Sequence, residues 1–474
     1  GRFRGLTHLS HPRLLSRKMS QFDVMLPRVG AEEADMDEER FQAFLGQRGA
    51  EPGWLKAYRE ANWKLYQETP SPNRRVESWR FGDPRRMALG KCAPALSEME
   101  EGSIQELRES SSFLPSATTR IVLANDHCIE EAALTSELRN KGLIFESLES
   151  ALLKHPDKIR SNLEGEEPDL GSTKQRALHA AFLGNGAYVR IPAGLVVEEP
   201  LMVYHWVKGE DIAIFPRTII EAEDNAEAMV VEVYLSADAS SPAFACAMGS
   251  IKASANAKVT RVAVQNWNLE TTSHLFDVNQ SARDAKVRSY TILLGSGACR
   301  HETSLRVNEP GGDARVRSLV AASGKQLFDQ RSRQDHRAEH TTSDVLCKNA
   351  LLDEARSIFA GLIRVEENAQ HADAYQTNRN LVIGPSAEAN SLPGLEILAN
   401  DVRCSHGATT GRIEEDQLFY LQSRGIPREA AKQLVMLGFF EEVLAGIPAD
   451  LADSIRELLR DKFESRDRQG NSDR

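Results

Sequence analysis

The chain has 474 residues, 41% of them hydrophobic, and carries a formal net charge of −11 at pH 7 with a pI of about 5.7. This length allows about three domain-sized units with a substantial core, and the acidic balance argues against broad electrostatic binding to nucleic acid. No apolar run approaches the ~18 residues that a membrane-spanning helix needs. The charge is compatible with protein partners.

Residues 1–35 are interpreted as a leader or disordered segment. Within them, residues 1–18 contain five Lys or Arg and no acidic residue, and the chain does not begin with Met. This composition is similar to that of an organelle transit segment, which would place the protein in the plastid stroma. We favour the alternative, a translated leader or expression remnant ahead of a start at Met19, and with it a cytoplasmic protein.

The next region, residues 36–176, is predicted to be helical at first and then mixed. From Met36 to about Glu68, apolar residues recur at three- and four-residue spacing with Gly and Pro between the runs, which predicts helices. From about residue 87, short apolar strands such as TTRIVLAND alternate with helical pieces such as TKQRALHAAFL. We interpret the whole region as an N-terminal helical and mixed domain.

After Gly186 the sequence changes to short β-rich runs that follow one another closely, from AYVRIP to RVRSLVAAS. Between the runs a small polar residue followed by alanine recurs, and its first four occurrences are separated by 31, 28 and 29 residues. The six occurrences begin at Asn225, Asn256, Asp284, Asp313, Asn368 and Ser386.

This recurring step predicts a solenoid of β-coils over residues 177–413. An Asn or Asp followed by Ala suits a tight corner, because the short polar side chain bonds the local backbone and tolerates unusual φ angles. Recurrence of one corner-and-strand unit is typical of repeats that stack on their neighbours. A hairpin sandwich would show Asn-Gly or Asp-Gly turns, and these do not occur between the runs.

From Glu414 the pattern becomes helical again. EEDQLFYLQSRG begins with acidic residues, which favour a helix N-terminus, and ends on Gly425 as a helix-ending residue. Pro427 suits the first turn of a second helix, and PADLADSIRELLRDKF forms a third with one apolar stripe. We predict a C-terminal helical domain over residues 414–464 and a charged, disordered tail over residues 465–474.

The six cysteines occur singly and without a CxxC motif, which predicts a reducing compartment rather than a secreted disulfide framework. The same scatter excludes a self-contained zinc ribbon or four-cysteine cluster site. The sequence contains no GxxxxGK[ST], GxGxxG, HExxH or GxSxG, so a P-loop ATPase is excluded.

Cys404 and His406, in DVRCSHGATTG, are the candidate metal-handling residues. On a strand, residues two apart face the same side, so the thiol and the imidazole would be neighbours on one surface. Both are ligands suitable for iron, zinc or copper, but two ligands are too few for a closed site. The spacing alone favours a structural pair, a buried Cys and a hydrogen-bonded His, over a half-site that a second subunit completes. Three other histidines, His301, His336 and His340, are predicted to lie in exposed turns.

The segment around this pair, NDVRCSHGATTGRIEEDQLFYLQSRGI, resembles the C-terminal signature of the SufB/SufD family of the SUF iron–sulfur cluster assembly system. Ala177 to Leu201 is similar to the segment that leads into the family's β-helix, and Ile358 to Asp401 continues the likeness without a gap. VESWRFGD is similar to the family's N-terminal Trp-containing segment. The resemblance covers roughly residues 40 to 460 and is strong after residue 177.

The family has two paralogous types, SufB and SufD, and this sequence differs from the SufB type at two places. In YQTNRNLVIG, Asn378 stands about where SufB carries a cysteine thought to act in cluster assembly. Residues 405–409 read SHGAT where SufB typically reads EHEAT, so Gly407 stands in place of a carboxylate. Both departures favour the SufD type over a SufB-type scaffold.

The resemblance implies a mainly β fold with helical flanks, in which a right-handed parallel β-helix core lies between an N-terminal helical region and a C-terminal helical domain. It implies a non-catalytic subunit of the SufBCD scaffold complex that supports iron acquisition and de novo cluster assembly. The implied partners are SufB, through the β-helix, and the ATPase SufC, through the C-terminal helices. A SufD homodimer is the alternative to the SufB pairing.

The resemblance also implies roles for individual residues. His406, and less directly Cys404, would handle iron or a nascent cluster at the SufB interface. This chain alone would bind no cofactor stably; iron or a cluster would be transient in the complex, and FADH2 binding by the complex stays open. The helices from Glu415 to Gly446 would dock SufC. The candidate SufC-binding residues are Leu418, Phe419, Tyr420, Leu434, Phe439 and Phe440.

A β-solenoid enzyme is the competing function class. A polysaccharide lyase would place clusters of Asp, Lys or Arg along a groove, and a hexapeptide acyltransferase would show strict six-residue repeats. Neither pattern occurs in the sequence, so the enzyme hypothesis is disfavoured.

Overall fold

A computed structural model describes residues 36–48, 51–96, 99–165 and 170–472, with side chains described as far as residue 464. The leader predicted over residues 1–35 therefore lies outside the described residues. None of the helices in the described part of the chain is both long and apolar enough to cross a membrane.

The N-terminal region is helical and then mixed, as the sequence predicts. Seven helices, one 3₁₀ turn and three short strands precede the solenoid. They are α1 (Glu38–Gly46), α2 (Gly53–Glu68), the 3₁₀ turn Glu77–Trp79, α3 (Glu101–Ser110), β1 (Arg120–Ala124), β2 (His127–Glu130), α4 (Ser136–Asn140), β3 (Ile144–Ser147), α5 (Leu148–Lys154), α6 (Pro156–Leu163) and α7 (Thr173–Ala181).

The core is a β-solenoid of about eight turns, so the predicted mainly β fold with helical flanks is confirmed. Each turn contributes one strand to each of two sheets. The strands are β4 (Gly186–Ile191), β5 (Leu201–Val207), β6 (Ile212–Ile214), β7 (Arg217–Ala222), β8 (Glu227–Ser236), β9 (Ala243–Ala253), β10 (Lys258–Asn266), β11 (Thr271–Ser281), β12 (Lys286–Leu293), β13 (Ala298–Val307), β14 (Asp313–Ala322), β15 (Leu327–His336), β16 (Thr342–Leu351), β17 (Arg356–Val365), β18 (Asp373–Val382), β19 (Glu388–Ile397) and β20 (Arg403–Gly411).

We call the two sheets sheet I and sheet II. Sheet I runs β2-β1-β5-β8-β10-β12-β14-β16-β18-β20, and sheet II runs β19-β17-β15-β13-β11-β9-β7-β4-β3, with β6 beside β9. Pairing between successive turns is parallel throughout, whereas β2 on β1 and β3 on β4 are antiparallel. The N-terminal region thus covers the first turn of the solenoid with added strands, and β19 and β20 end the two sheets at the other end.

The predicted corners are confirmed at three of the six positions. Asn225, Asn256 and Asp284 adopt φ angles of 59°, 58° and 56°, in the left-handed region that Asn and Asp tolerate. The alanine that follows each of them is completely buried. A left-handed corner residue and a small interior residue therefore turn the chain from one sheet to the other.

The remaining three positions differ from the prediction. Asp313 is the first residue of β14, and the preceding Gly311 adopts the left-handed conformation, at φ 76°. In the turn after Asn368, the left-handed residue is His371, at φ 60°, and Ser386 is not among the left-handed residues in the described part of the chain. The same short motif thus occurs at two different offsets from the corner.

Helices cover both outer faces of the solenoid. On sheet II, Phe182 packs against Phe215, with ring centroids 5.6 Å apart, and against Trp63 of α2. On sheet I lie α9 (Arg428–Leu444) and α10 (Ala449–Ser472), held partly by a 3.1 Å hydrogen bond from the Tyr290 hydroxyl to the Gly446 carbonyl. α8 (Glu415–Ser423) packs against α9. α10 continues to Ser472, so it extends into residues 465–474, for which the sequence predicts a disordered tail.

A buried ionic network crosses the lumen between the two sheets. The Arg261 guanidinium contacts the Glu232 carboxylate and donates from Nη1 to Asp277 Oδ1 at 2.7 Å. His301 Nε2 lies 2.8 Å from Asp277 Oδ2, and His205 Nε2 lies 3.3 Å from Glu232 Oε1. Burial alone would raise the pKa of both carboxylic acids, but Arg261 and the histidines outweigh it and hold both pKa values below their usual range.

Replacing Arg261 with Met is expected to lower the free energy of unfolding by roughly 3–5 kcal/mol, because two carboxylates are then buried without their cation. In the natural chain the depressed pKa values contribute stability above about pH 4 that is lost as the pH falls through the folded values. In the variant burial raises those pKa values, so stability falls as the pH rises from about 4 to 8. Denaturant unfolding at pH 5 and pH 8 measures the loss of stability in the variant and its pH dependence.

Arg288→Met is the matched control, because the partly exposed Arg288 pairs with Asp313 on the outer face of the same sheet. A loss of stability that is equal in the two variants, or that has the same pH dependence, would contradict the role given to the lumen network.

Candidate functional site

The candidate residues lie on β20, the last strand of sheet I. β20 pairs with β18 along one edge, where the Arg403 N–H donates to the Ala372 carbonyl at 2.8 Å. The other edge of β20 pairs with no strand in the described part of the chain. Since bonding alternates along a parallel strand, the N–H groups of Cys404, His406 and Ala408 point toward the open edge.

The side chains of Cys404 and His406 share one face of β20, as the strand spacing predicts. In the register of the sheet, Cys404 stands beside Ala374 and His406 beside Gln376, and both neighbours are buried on the lumen side. Cys404 is half-buried against the last hydrophobic residues of the lumen, whereas His406 is exposed. The pair therefore lies at the open end of the lumen, and its part in metal handling stays a prediction.

The Cys404 thiol is held in its protonated form. Burial raises its pKa, the nearby Asp373 carboxylate raises it further, and the Ala374 backbone opposes this only in part. A thiol must lose its proton to bind a metal, so Cys404 is a poor ligand until a cation arrives beside it.

In the described part of the chain, no group of three or more His, Cys, Asp and Glu side chains is placed to hold a metal ion. Cys404 and His406 thus remain a two-ligand half-site. Such a half-site binds iron or a cluster firmly only when another molecule supplies further ligands.

A set of buried amides beneath His406 was not predicted from the sequence. Gln376, Asn378 and Asn380 alternate along β18 and face the lumen. The Ser391 hydroxyl donates to Asn378 Oδ1 at 2.6 Å, and Asn380 Nδ2 donates to the same oxygen at 2.8 Å. Both polar atoms of the Gln376 amide lack a partner among the described protein groups. The lumen that opens at His406 is therefore polar.

Asn378 occupies a position of interest because it stands about where a SufB-type chain would have its cysteine. It is completely buried and accepts the two hydrogen bonds described above. A residue here faces the lumen one turn before the open end. In this chain the position carries an amide that ties β18 to β19 and cannot act as a nucleophile.

The histidines predicted to lie in exposed turns are placed differently. His336 is buried at the end of β15, with its two ring nitrogens 2.7 Å from the Thr341 and Ser343 hydroxyls. His340 forms a corner and stacks on His371 at 4.7 Å. His301 belongs to the lumen network. The turn prediction is therefore wrong for His301 and His336 and right for His340.

The six candidate SufC-binding residues differ in how far their side chains are exposed. Phe419, Tyr420 and Leu434 are 73%, 57% and 50% exposed on the outer surface of α8 and α9. Leu418 and Phe440 are buried, and Phe440 belongs to the cluster that joins α9 and α10 to sheet I, so neither side chain is on the exposed surface of the helices; their part in SufC binding stays a prediction. Phe439 is partly buried, and the Lys348 amine lies 4.9 Å from its ring centroid.

Comparison with protein-family models matches residues 205–439 to the model described as SUF system FeS cluster assembly, SufBD core domain. The matched region runs from β5 into α9. It therefore includes the solenoid from the end of β5 onward, the candidate pair on β20 and the exposed residues Phe419 and Leu434.

Several curated proteins are similar to the chain. The Bacillus subtilis iron-sulfur cluster assembly protein SufD is 27% identical over 88% of the chain and 95% of its own length. The Escherichia coli protein of the same name is 34% identical over 54% of the chain and 61% of its own length. An iron-sulfur cluster assembly SufBD family protein of Arabidopsis thaliana, named as chloroplastic, is 24% identical over 87% of the chain and 77% of its own length.

Proposed function

The chain belongs to the SufBD family of iron–sulfur cluster assembly proteins, and we propose that it is a non-catalytic, SufD-type subunit of a scaffold complex. In this proposal it pairs with a SufB-type subunit through the open end of the solenoid and with a SufC-type ATPase through α8 and α9. The missing P-loop motif supports this division of labour, because ATP hydrolysis then belongs to the partner.

The open end of the solenoid carries the proposal. β19 and β20 both end their sheets, and each leaves a row of backbone groups unpaired within the described chain. Such edges pair readily with another chain, and natural proteins usually block them. Leu392, Leu395 and Ile397 add apolar surface on β19, each with more than a third of its area exposed. An end-to-end partner would extend both sheets and bury this surface.

A second solenoid of similar cross-section is the partner that this end fits best. A SufB-type subunit has the shared core, and a second copy of this chain is the alternative. A second copy would close the half-site with two Cys and two His, an arrangement typical of structural metal sites without an open position. Iron or a cluster handled as cargo needs an open position, which favours the SufB-type subunit.

In the complex, Cys404 and His406 would meet iron or a nascent cluster as cargo at the junction of the two solenoids. The partner would supply the missing ligands, and this chain alone would retain no cofactor. None of the described residues is proposed to bind FADH2. We place the protein in the cytoplasm, with the plastid stroma as the alternative that the chloroplastic relative keeps open.

Replacing Ala408 with Pro is expected to weaken binding to the SufB-type subunit by at least about tenfold. Its N–H points to the open edge, so proline removes a donor from the partner-facing side and leaves the bonds to β18 intact. Co-purification and titration calorimetry measure the binding. Ala408→Ser keeps the N–H and is the control. Unchanged binding of the proline variant would show that the two chains meet elsewhere, and a monomeric proline variant of a dimeric chain would support the homodimer.

His406→Ala is expected to leave the complex assembled and to slow its cluster formation by about tenfold or more, as loss of a metal ligand or its support does. The imidazole is exposed and has no polar partner among the described residues, so its removal should not disturb folding. Ser405→Ala, on the opposite face of the same strand, is the control. Normal cluster formation would refute the metal-handling role, and failure to assemble would make His406 a structural residue.

Phe419→Ala is expected to weaken SufC binding by about tenfold, the loss typical of an exposed aromatic anchor, without changing the unfolding midpoint. Leu418→Ala should instead lower the free energy of unfolding by about 2–5 kcal/mol, because that side chain is in the core. Leu269→Ala removes an equally apolar group, 53% exposed, from a solenoid corner and serves as the control. Full SufC affinity in the Phe419 variant would exclude this surface.

A further inference from the structure

A cavity of about 330 Å³ lies at the opposite end of the solenoid from β20. It is lined by the end of α1, the residues just before α2, α5, the β1–β2 hairpin and β6. Its walls are about half polar and half apolar, and its volume is near the lower end of the range for small-molecule sites, about 300–1,000 Å³. The lining residues are Phe44, Gln47, Arg48, Glu51, Pro52, Pro94, Ala95, Leu96, Asn125, Asp126, His127, Glu149, Leu152, Leu153, Gly184 and Ala213.

Asp126 is one of the acids that line this cavity, and hydrogen bonds to the backbone hold its side chain in place. Asn125 and Asp126 form the two-residue turn of the hairpin, both with left-handed φ angles, 50° and 62°. The Asn125 side chain is bonded to both backbone groups of Lys208, each at 2.9 Å. The Phe215 N–H donates to Asp126 Oδ2 at 2.6 Å, and a side chain on Gly184 would collide with that oxygen. One carboxyl oxygen is thereby fixed.

This carboxyl group has no ion-pair partner in the described part of the chain. Burial raises the pKa of Asp126 to about 7, and the Phe215 N–H and the more distant Arg48 offset that effect only in part. An acid kept in a largely buried position without a cation costs stability, and such groups in cavities are frequent at binding sites.

The other charged groups of the lining are already engaged. Glu51 accepts two hydrogen bonds from Arg59, at 3.0 and 2.7 Å, and lies 3.9 Å from Arg48. Glu149 accepts from the Asn185 side chain at 3.2 Å. His127 is exposed at the rim. The lining thus has three acids against one arginine; Glu149 is bonded to the neutral Asn185 amide and Asp126 to the Phe215 N–H, so neither has an ion-pair partner in the described part of the chain.

We propose that this cavity binds a small organic cation, in which an amidinium or ammonium group on a compact apolar body is paired with Asp126. The cation would supply the charge partner that the carboxylate lacks, and the apolar body would contact Phe44 and Leu152. The site is separate from the β20 edge, so this proposal is independent of the proposed assembly role.

Benzamidine is a suitable probe because it joins an amidinium to one aromatic ring, and benzamide is its neutral counterpart of the same size. Calorimetry on the full chain at pH 8 should detect benzamidine and give at least about tenfold weaker binding for benzamide. Asp126→Asn, which keeps an oxygen to accept the Phe215 N–H, should weaken benzamidine binding by about tenfold or more. Glu339→Gln, an exposed acid on a solenoid corner, should leave it unchanged.

The pH dependence provides a test that needs no variant. Between pH 6 and pH 8 Asp126 changes from mostly protonated to mostly ionised while the amidinium stays charged, so benzamidine should bind about tenfold more tightly at pH 8. Equal binding of benzamidine and benzamide, insensitivity to Asp126→Asn, or affinity that is constant with pH would each overturn the proposal.

Discussion

The whole architecture depends on backbone hydrogen bonding from one turn of the solenoid to the next. Each inner strand of the core pairs along both edges with neighbouring strands, so the two sheets extend together and the interior is enclosed between them. This stacking requires corners of nearly constant geometry, which the left-handed residues and their buried alanine neighbours provide. The stack of turns also has two ends, and the two ends differ in structure.

At the first end, β1 pairs in parallel with β5, β2 and β3 add antiparallel edges, and the N-terminal helices pack an aromatic cluster onto sheet II. At the last end, β19 and β20 are left without a further strand in the described chain, and their side chains are mostly exposed. The interior changes in the same direction, from the paired charges around Arg261 to the buried amides of β18. A polar interior near an unpaired edge is costly for an isolated chain and reasonable for one that is completed by a partner.

The sequence predicted the solenoid, its approximate limits and the strand that carries Cys404 and His406, because strand composition and corner spacing are local properties. It failed where two equivalent local solutions existed. DARV at Asp313 has the same pattern as NAKV at Asn256, but in DARV the corner is formed by the Gly-Gly pair before the motif.

In LFY, from Leu418 to Tyr420, three large apolar residues are successive on a helix, and at about 100° per residue they cannot all share one face. Which of them packs inward depends on how α9 lies against α8, so the pattern alone could not separate core from surface. The lumen amides escaped notice because polar residues occupy both faces of β18, Gln376 inside and Arg379 outside.

The difference between the two candidate ligands suggests an order of events at the open end. Cys404 is half-buried with a raised pKa, and a docked partner would bury it further and make the thiolate still harder to form. A bound cation reverses this effect, because its charge stabilises the thiolate more than burial disfavours it. The exposed His406 faces no such barrier, since imidazole binds metal in its neutral form. If iron is the cargo, His406 would therefore contact it first and Cys404 would join only once the ion is in place. On this physical basis the histidine, rather than the cysteine, is the residue on which metal handling by this subunit should depend most.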